Sequence, residues 1–417
     1  MRSNLKADSG ASSANSLRNR HRDLKAPLKI AIIGGGLAGR LLAWRVARCA
    51  SPTNSLMTDS QAASSQPPIS SDEYKIDTDN GITNNYQITV FEKGTIAPSN
   101  NTKNERAAAF TAAAMISPLS ELVASELDIY QLGQKSLTLW PQWLHQLGCP
   151  QHFHQHGSLV LAHSNDFSEL VQFKQELHFK LNQQTNSDSK GSLQWLNDKS
   201  YLNTLEPAIS QHFQSGLFLP SEAHIDHNEV LFQLVTQARK LGVEFKENCP
   251  IQPDDEALKN FDLIFDCRGM GFKESARLED GFRGVRGEVI RIECKEVYLK
   301  RPIRIMHPRY KLYIVPKPNN QFTIGATEIE SEDRSAISLR SSMELLSALY
   351  AVNPAFAEAR IISQETNLRP AFMNNLPRIE SLKSKYNTPI LRINGLYRHG
   401  YLIGPAIIEQ ALRKAEL

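Results

Sequence analysis

The chain has 417 residues, of which 41% are apolar and 8% aromatic, enough for two domains or for one large domain with a real core. It contains no apolar run near the length of about 20 residues that a transmembrane helix needs, so we predict a soluble protein without a membrane partner. The net charge of +3 is small and the first 29 residues alone carry +5, so the slightly acidic remainder is not suited to bind nucleic acid.

The N-terminal tail and the cysteines indicate the cellular compartment of the protein. The basic tail, residues 1–27, lacks an apolar core and is not a secretory signal peptide. Its Ser, Asn and Arg content is typical of a disordered extension, although an organelle transit peptide has a similar composition. The five cysteines are scattered and form no Cys-x-x-Cys pair, which argues against a disulfide framework and favours a reducing compartment, the cytoplasm.

The first elements of the chain read as a strand, a helix and a second strand. The apolar run Leu28–Ile33 stops at three glycines, and a second strand is predicted at Tyr86–Phe91. Residues 51–85 are rich in Ser, Asn, Asp, Thr and Gln, and we predict a surface insertion there. The intervening helix is predicted from apolar spacing at Leu37, Leu41, Leu42 and Val46, with the arginines Arg40, Arg45 and Arg48 elsewhere on its surface.

Helices and strands then alternate along the rest of the chain. The runs at 288–293 and 311–315 alternate apolar and polar residues, which predicts a sheet with one solvated face. The later predicted elements are, in order, mostly helical structure over 106–147, a strand at 157–162, a helix at 228–241, a buried strand at 261–266, strands at 288–293, 311–315 and 321–325, a helix at 338–350, and a strand–turn–helix unit at 389–415.

Three alternating histidines raise the question of a metal site. His152, His154 and His156 would share one face of a strand, as metal ligands can. Because no nearby Cys, Asp or Glu completes a ligand set, we predict a solvent-facing edge and no metal.

A glycine motif predicts a dinucleotide site. Gly34, Gly36 and Gly39 match G-x-G-x-x-G between a strand and a helix, where they allow a tight turn, close approach to a pyrophosphate and close helix–strand packing. The phosphates would then lie at the helix N-terminus. Glu92 ends the second strand, where an acidic residue accepts hydrogen bonds from ribose hydroxyls. Its distance from the glycines exceeds the usual gap by roughly the length of the insertion.

Further motifs resemble those of the D-amino acid oxidase family of FAD-dependent oxidoreductases. The resemblance covers nearly all of residues 28–412, in the family order, and is greatest to the glycine oxidases of thiamine biosynthesis. It implies an α/β fold in which a Rossmann-like FAD-binding domain is combined with a discontinuous α+β substrate domain on a mostly antiparallel sheet. The implied division is the disordered tail at 1–27, FAD-binding parts at 28–128, 217–284 and 356–417, and substrate parts at 129–216 and 285–355.

The resemblance also implies the residues that contact FAD. Residues 107–118 resemble the family's small-residue loop along the flavin, with Ala114 where glycine oxidases usually have Gly. Ile251 matches a strand residue near the adenine, His399 replaces the usual Asn of the last family motif, and Pro405 fits the first turn of the last helix. Together with the glycine motif, the implied FAD-binding residues are Gly34, Gly36, Leu37, Ala38, Gly39, Glu92, Lys93, Ala113, Ala114, Met115, Ile251, Leu396, Tyr397, Arg398, His399, Gly400, Tyr401 and Leu402.

Three residues match the family's substrate-binding side chains. Arg369, before a proline, resembles the arginine whose planar fork holds the substrate carboxylate. Arg398 matches a second arginine near the pocket, and Tyr313 a tyrosine that helps to hold the substrate. Lys311 stands where glycine oxidases tend to have His.

The resemblance implies oxidative deamination of glycine or another small amino acid, for thiamine biosynthesis. A hydride passes from the substrate α-carbon to flavin N5, dioxygen reoxidises the flavin, and H₂O₂ forms. Family members are often homo-oligomers, so we expect one here. The alternatives are a tRNA-modifying FAD oxidase of the same family, a D-amino acid oxidase or dehydrogenase, and a non-catalytic flavoprotein that acts as a maturation partner.

Overall fold

The computed structural model describes residues 26–49, 86–97, 106–183, 193–209, 211–308 and 312–417. Residues 1–25 of the predicted tail, the predicted insertion at 51–85 and Lys311 lie outside these ranges. Among the described helices, none is long and apolar enough to cross a membrane.

The helices and strands follow the predicted alternation. The strands are β1 (Leu28–Ile33), β2 (Tyr86–Phe91), β3 (Met115–Ile116), β4 (Phe153–His154), β5 (Ser158–Ala162), β6 (Gln194–Leu196), β7 (Gly216–Leu219), β8 (Ala223–Ile225), β9 (Glu244–Lys246), β10 (Leu263–Asp266), β11 (Phe282–Glu293), β12 (Ile303–Met306), β13 (Leu312–Lys317), β14 (Gln321–Gly325), β15 (Arg360–Phe372), β16 (Arg378–Lys383) and β17 (Pro389–Asn394). The α-helices are α1 (Leu37–Cys49), α2 (Pro118–Leu122), α3 (Leu127–Gln146), α4 (Phe167–Asn182), α5 (Lys199–Leu205), α6 (His227–Lys240), α7 (Leu339–Val352) and α8 (Gly400–Ala415).

A parallel sheet forms the centre of the first domain. Its strand order is β16-β17-β10-β1-β2-β9, and only the edge strand β16 runs antiparallel to its neighbour. The inner residues of β1 are buried on both faces, as a central parallel strand requires. One face packs against α1, α3, α6 and α8 in a single apolar cluster. The carboxyl ends of β1, β2, β10 and β17 therefore meet at one edge of the sheet.

A larger, mostly antiparallel sheet forms the centre of the second domain. Its order is β15-β11-β14-β13-β12-β5-β7-β6, and β12 with β5 is its parallel pair. Helix α7 covers one face. Because the chain passes between the two sheets repeatedly, the domains are discontinuous and the predicted fold class is confirmed. The predicted domain boundaries stay a prediction; β15, within the range 356–417, pairs with β11 of the larger sheet.

The burial of β11 corrects the prediction of a solvated face. Glu288 is fully buried and pairs with Arg286, at 2.6 Å between Oε1 and Nη2. Arg291 pairs with Glu365 at 2.9 Å between Nε and Oε1. Glu288 and Arg291 thus face ion-pair partners inside the protein instead of water, whereas Glu293 at the end of the strand stays partly exposed near Lys295.

The helical prediction over 106–147 holds only in part. Helices α2 and α3 occupy its second half, whereas the residues before Pro118 contain a short 3₁₀ turn at Ala108–Phe110 and the two-residue strand β3. A proline is well placed in the first turn of a helix, so α2 begins there.

Pro405 lies inside α8, which corrects its predicted place in the first turn. The helix begins at Gly400, so the ring of Pro405 removes the N–H that would bond the carbonyl of Tyr401. The indole of Trp140 supplies the missing donor, with Nε1 at 2.8 Å from that carbonyl oxygen. A proline is therefore tolerated in a buried helix because a neighbouring helix pairs the free carbonyl.

Replacing Trp140 with Phe should lower the free energy of unfolding. The change leaves the buried Tyr401 carbonyl without a donor, which costs about 1–3 kcal/mol beyond the loss of ring size. Trp143→Phe is the matched control, because Trp143 is as deeply buried and its indole has no hydrogen bond within the described residues. Urea unfolding measures the free energy of unfolding of both variants. An equal decrease in the two variants would contradict this role of Trp140.

Candidate active site

A cavity of about 930 Å³ lies where the carboxyl ends of β1, β2 and β10 face the larger sheet. This volume is near the upper end of the roughly 300–1,000 Å³ seen for ligand pockets. Gly39 is the predicted site residue that does not line it. The others all do, namely Gly34, Gly36, Leu37, Ala38, Glu92, Lys93, Ala113, Ala114, Met115, Ile251, Tyr313, Arg369, Leu396, Tyr397, Arg398, His399, Gly400, Tyr401 and Leu402.

The three motif glycines have different reasons to be glycine. Gly34 has a φ of 103°, and a Cβ there would lie 2.5 Å from the carbonyl oxygen of Cys267. A Cβ on Gly39 would clash with the carbonyl oxygen of Gly34. A Cβ on Gly36 would meet only Ala107, at an ordinary 3.5 Å. The fold thus demands Gly34 and Gly39, whereas Gly36 leaves open space that fits a pyrophosphate in close contact with the backbone.

Glu92 and Arg40 hold the glycine turn. Glu92 accepts hydrogen bonds from the N–H of Gly35 at 2.6 Å and of Gly94 at 3.0 Å. Arg40 donates to the carbonyl oxygens of Gly35 at 2.6 Å, Leu231 at 3.0 Å and Ile96 at 2.5 Å. Burial lowers the pKa of Arg40 to about 10.

Arg40 supports the glycine turn from inside the protein, although the apolar spacing of α1 predicts it away from the buried face. It is only 2% exposed, because its guanidinium finds backbone carbonyls inside the protein. Its spacing of three residues from Leu37 could have revealed this, since i and i+3 share a helix face.

Asp266, the last residue of β10, pairs with two arginines, of which Arg268 lines the cavity. Both carboxylate oxygens of Asp266 accept from Arg268, at 2.8 and 2.9 Å, and one also accepts from Arg392 at 3.0 Å. Burial acts to raise the pKa of Asp266, but these two arginines hold it below its usual value. Arg268 also donates to the side chain of Gln252, beside Ile251.

Ile251 is not on a strand, which corrects the prediction for this residue. Strand β9 ends at Lys246, Asn248 has a positive φ of 52°, and Pro250 cannot donate a ladder hydrogen bond. Ile251 instead packs against the second face of the parallel sheet while still lining the cavity.

The small-residue loop turns at Ala114. Its φ of 57° lies in the left-handed region, where a Cβ costs roughly 1–2 kcal/mol, and this explains why glycine suits the position. The backbone is held from both sides: Ile225 N donates to Ala114 O at 3.0 Å, and Lys317 Nζ donates to Ala113 O at 2.8 Å. Lys317 also donates to Ile225 O at 2.6 Å, and burial lowers its pKa to about 7.

The segment before α8 brings further backbone to the cavity. Asn394 is buried and donates to Gly269 O at 3.0 Å, which ties the ends of β17 and β10 together. A 3₁₀ turn at Tyr397–His399 precedes α8, and Tyr397 has a φ of 51°, uncommon for a bulky residue. Because α8 starts at Gly400, its first N–H groups lie at the cavity wall, where a helix favours negative charge.

Arg369 lies on β15 with its guanidinium against the backbone of β11. Its Nη1 donates to Arg286 O at 3.2 Å and its Nη2 to Thr327 O at 3.0 Å. Among the residues that the structure describes, no carboxylate lies within 4 Å of it. A Cβ on Gly287 would be 2.5 Å from Cζ of Arg369, so the glycine makes room for the charged group.

The neighbouring arginines already have carboxylate partners. Arg398 pairs with Glu121 at 2.9 Å and with Glu328 at 2.7 Å, and Arg304 pairs with Glu121 at 2.8 Å. Burial acts to raise the pKa of Glu121, but these arginines and His399 hold it well below its usual value. Glu121 was missed in the sequence, where nothing distinguishes it from a surface residue at the start of a helix.

Within this group, Arg369 is the guanidinium that has no described carboxylate within 4 Å, whereas Arg304 and Arg398 are paired with Glu121 and Glu328. Burial acts to raise the pKa of Glu328, but Arg398 and, to a smaller extent, Arg369 hold it below its usual value. Tyr313 is the direct cross-strand neighbour of Arg304 on the same wall. Burial raises the pKa of its phenol, so the hydroxyl stays neutral and can donate a hydrogen bond.

Two of the alternating histidines, His152 and His154, are half-buried, which corrects their predicted place on a solvent-facing edge, whereas His156 is exposed as predicted. His152 and His154 both contact the carboxylate of Asp226, at 3.2 and 2.8 Å, and only His154 lies on β4. His224 stacks against His154, with the ring centroids 4.8 Å apart. Within the described ranges, no group of three or more His, Cys, Asp or Glu side chains could hold a metal ion.

Several known proteins are similar to this chain in sequence or in fold. Residues 79–411 match the family model described as DAO, FAD dependent oxidoreductase. The chain is 36% identical over 304 residues to a Rhizobium etli protein provisionally named thiamine biosynthesis oxidoreductase ThiO, which covers 73% of this chain and 83% of that protein. Its fold is similar to glycine oxidases from Bacillus cereus and Geobacillus kaustophilus, each with a TM-score of 0.69, 18% identity and 93% of this chain covered, with 96% and 95% of those chains covered.

Gly36→Ala and Gly39→Ala should have different effects. A methyl group at Gly36 enters ligand space, so FAD affinity should fall by roughly tenfold or more, about 1.4 kcal/mol, with an unchanged melting temperature of the apoprotein. At Gly39 the methyl group meets the backbone, so the fold itself should be destabilised. FAD titration and thermal unfolding separate the two; normal FAD affinity in Gly36→Ala would contradict a pyrophosphate at that position.

Lys317 should make stability depend on pH. Its folded pKa of about 7 lies below its ordinary value of about 10.4, so the unfolded state binds more protons between these pH values. Stability conferred by Lys317 should therefore rise with pH across this range. Unfolding curves of wild type and Lys317→Met at about pH 6.5 and pH 9.5 check this. If the two proteins differ in free energy of unfolding by the same amount at both pH values, the prediction is wrong.

Proposed function

The chain belongs to the family of FAD-dependent oxidoreductases, and on that premise we propose that it catalyses the oxidative deamination of glycine or another small amino acid. The observation that carries the proposal is the guanidinium of Arg369, which lines the cavity and has no carboxylate partner within 4 Å in the described part of the chain. A planar guanidinium binds both oxygens of a carboxylate, so an amino acid substrate fits this position.

The residues around the cavity suit FAD. Gly34, Gly36 and the start of α1 would hold the pyrophosphate, and Glu92 the ribose. The loop at 113–115 and the segment 396–402 would lie along the flavin ring, with the start of α8 favouring negative charge there. When bound, FAD supplies the acceptor for the hydride from the substrate α-carbon, and dioxygen as final acceptor gives H₂O₂.

The chain itself contributes orientation and charge. Arg369 would fix the carboxylate, and the neutral hydroxyl of Tyr313 would donate a hydrogen bond to the substrate. Arg398, held between Glu121 and Glu328, would shape the wall without offering a free charge. No side-chain base is needed if the amine binds neutral, since holding the reacting atoms in line supplies much of the rate.

The charge balance favours a substrate with one carboxylate. Arg369 can hold one carboxylate with two guanidinium nitrogens, and the neighbouring Arg304 and Arg398 are already paired, so a second carboxylate beside the first would have no free guanidinium there. This supports glycine and similar amino acids over dicarboxylic ones.

The relative from Rhizobium etli supports a role in thiamine biosynthesis. Its name places that protein in this pathway, and the imine formed from glycine is a precursor suited to thiazole formation. We further propose that the enzyme acts in the cytoplasm, as the cysteine pattern predicts, and as a homo-oligomer.

Anaerobic mixing of the FAD-loaded protein with glycine, sarcosine and D-alanine tests the activity. At least one of them should bleach the flavin absorbance, and air should restore the colour and produce peroxide. If none bleaches it, the small-amine proposal is wrong, and modified tRNA or a protein partner becomes the candidate.

Arg369→Ala should lower kcat/KM for the substrate by at least about 30-fold, because losing one partner of a buried charge pair costs about 2 kcal/mol or more. Arg360→Ala is the control, since Arg360 lies exposed on the same strand. Steady-state peroxide assays compare the two, and near-normal kinetics in Arg369→Ala would rule out the carboxylate anchor.

A further inference from the structure

A buried ion pair lies directly behind Arg369. Arg286 is 4% exposed and Glu288 is fully buried, and they flank Gly287 on β11. The carboxylate accepts from Nη2 of Arg286 at 2.6 Å and from Nε at 3.0 Å. Burying both charges costs desolvation energy that their attraction often fails to recover. We therefore look for a function of the pair other than stabilising the fold.

Glu288 holds Thr327 by both its side chain and its backbone. The Thr327 hydroxyl donates to Oε2 of Glu288 at 3.0 Å and accepts from Glu288 N at 3.0 Å. Thr327 N donates to Glu288 O at 3.3 Å. The peptide that follows Thr327 is therefore fixed in orientation, and its carbonyl is the one that accepts from Nη2 of Arg369 at 3.0 Å.

Arg286 completes the same arrangement. Its backbone oxygen accepts from Nη1 of Arg369 at 3.2 Å. Its side chain donates to three carbonyl oxygens of the segment after Thr327, at 2.7 Å for Asp333, 3.0 Å for Ser335 and 2.9 Å for Ala336. Both carbonyls that orient Arg369 thus belong to residues tied to the ion pair.

We propose that Arg286, Glu288 and Thr327 form a positioning relay that aims the guanidinium of Arg369 at the substrate carboxylate. The relay rests on the role proposed above for Arg369. It requires the hydroxyl of Thr327 and not its methyl group, because only the hydroxyl reaches Glu288. Serine can therefore replace Thr327, and valine, which has the same shape, cannot.

Acetate binding to the FAD-loaded protein tests the relay. Acetate carries the carboxylate without an oxidisable amine, so calorimetry measures the anchor apart from turnover. Thr327→Val should weaken acetate roughly five- to tenfold, as expected when a hydrogen bond that orients a charged group is lost. Thr327→Ser should bind within about twofold of wild type. In peroxide assays, KM should rise in the valine variant while kcat stays close to wild type.

The controls separate failure of the relay from failure of the anchor. If Arg369→Ala loses acetate affinity but Thr327→Val does not, the relay is overturned and the anchor stands. If Arg369→Ala binds acetate like wild type, the anchor and with it the relay are wrong. If valine and serine lower the melting temperature alike without changing acetate affinity, Thr327 is merely structural and the relay is again overturned.

A variant of Glu288 tests whether Glu288 and Thr327 orient Arg369 through the same hydrogen bonds. Glu288→Gln keeps the side-chain volume but removes the charge. Combined with Thr327→Val it should weaken acetate no more than the stronger single change, because both interrupt the same relay. If the losses of acetate affinity in the two single variants add up fully in the double variant, the proposal is wrong. If Glu288→Gln does not fold, the comparison of Thr327→Val with Thr327→Ser tests the proposal alone.

Discussion

The placement of one guanidinium without a carboxylate partner constrains the whole substrate end of the cavity. Arg369 is half-buried, and its described hydrogen-bond partners are two backbone carbonyls, which cannot neutralise its charge. Arg304 and Arg398 are paired with Glu121 and Glu328, which leaves Arg369 as the guanidinium of this group that a ligand carboxylate can pair with. Gly287 is glycine because this guanidinium lies against the strand at that residue.

The other end of the cavity depends on the parallel sheet. The carboxyl ends of its strands bring together residues that lie far apart in the chain, including Gly34, Glu92 and Cys267. The two ends are joined by the loop at Ala114, whose backbone is held by Lys317 from the larger sheet. A cofactor along this path and a substrate at Arg369 would be aligned by elements that are each rigid on their own, which is how preorganised sites gain rate.

Much of the fold was predictable because the decisive signals were local. Strands β1 and β2 have the predicted bounds, since a parallel strand buried on both faces leaves an apolar run with clear ends. The residues that were missed or misplaced depend on distant partners. Arg40 is buried because carbonyls of three separate segments surround it, and Pro405 is tolerated inside a helix because Trp140 supplies a donor. Glu121 and Lys317 likewise gain their roles only from residues far away in sequence.

Anaerobic flavin reduction by glycine and by glycine methyl ester shows whether Arg369 holds the substrate carboxylate. The two compounds share the amine and the α-carbon, and only glycine has a carboxylate for Arg369. We expect glycine to bleach the FAD-loaded protein and the ester, at equal concentration, to do so far more slowly or not at all. Equal reduction by both would contradict the assignment of Arg369 as the anchor that selects the substrate.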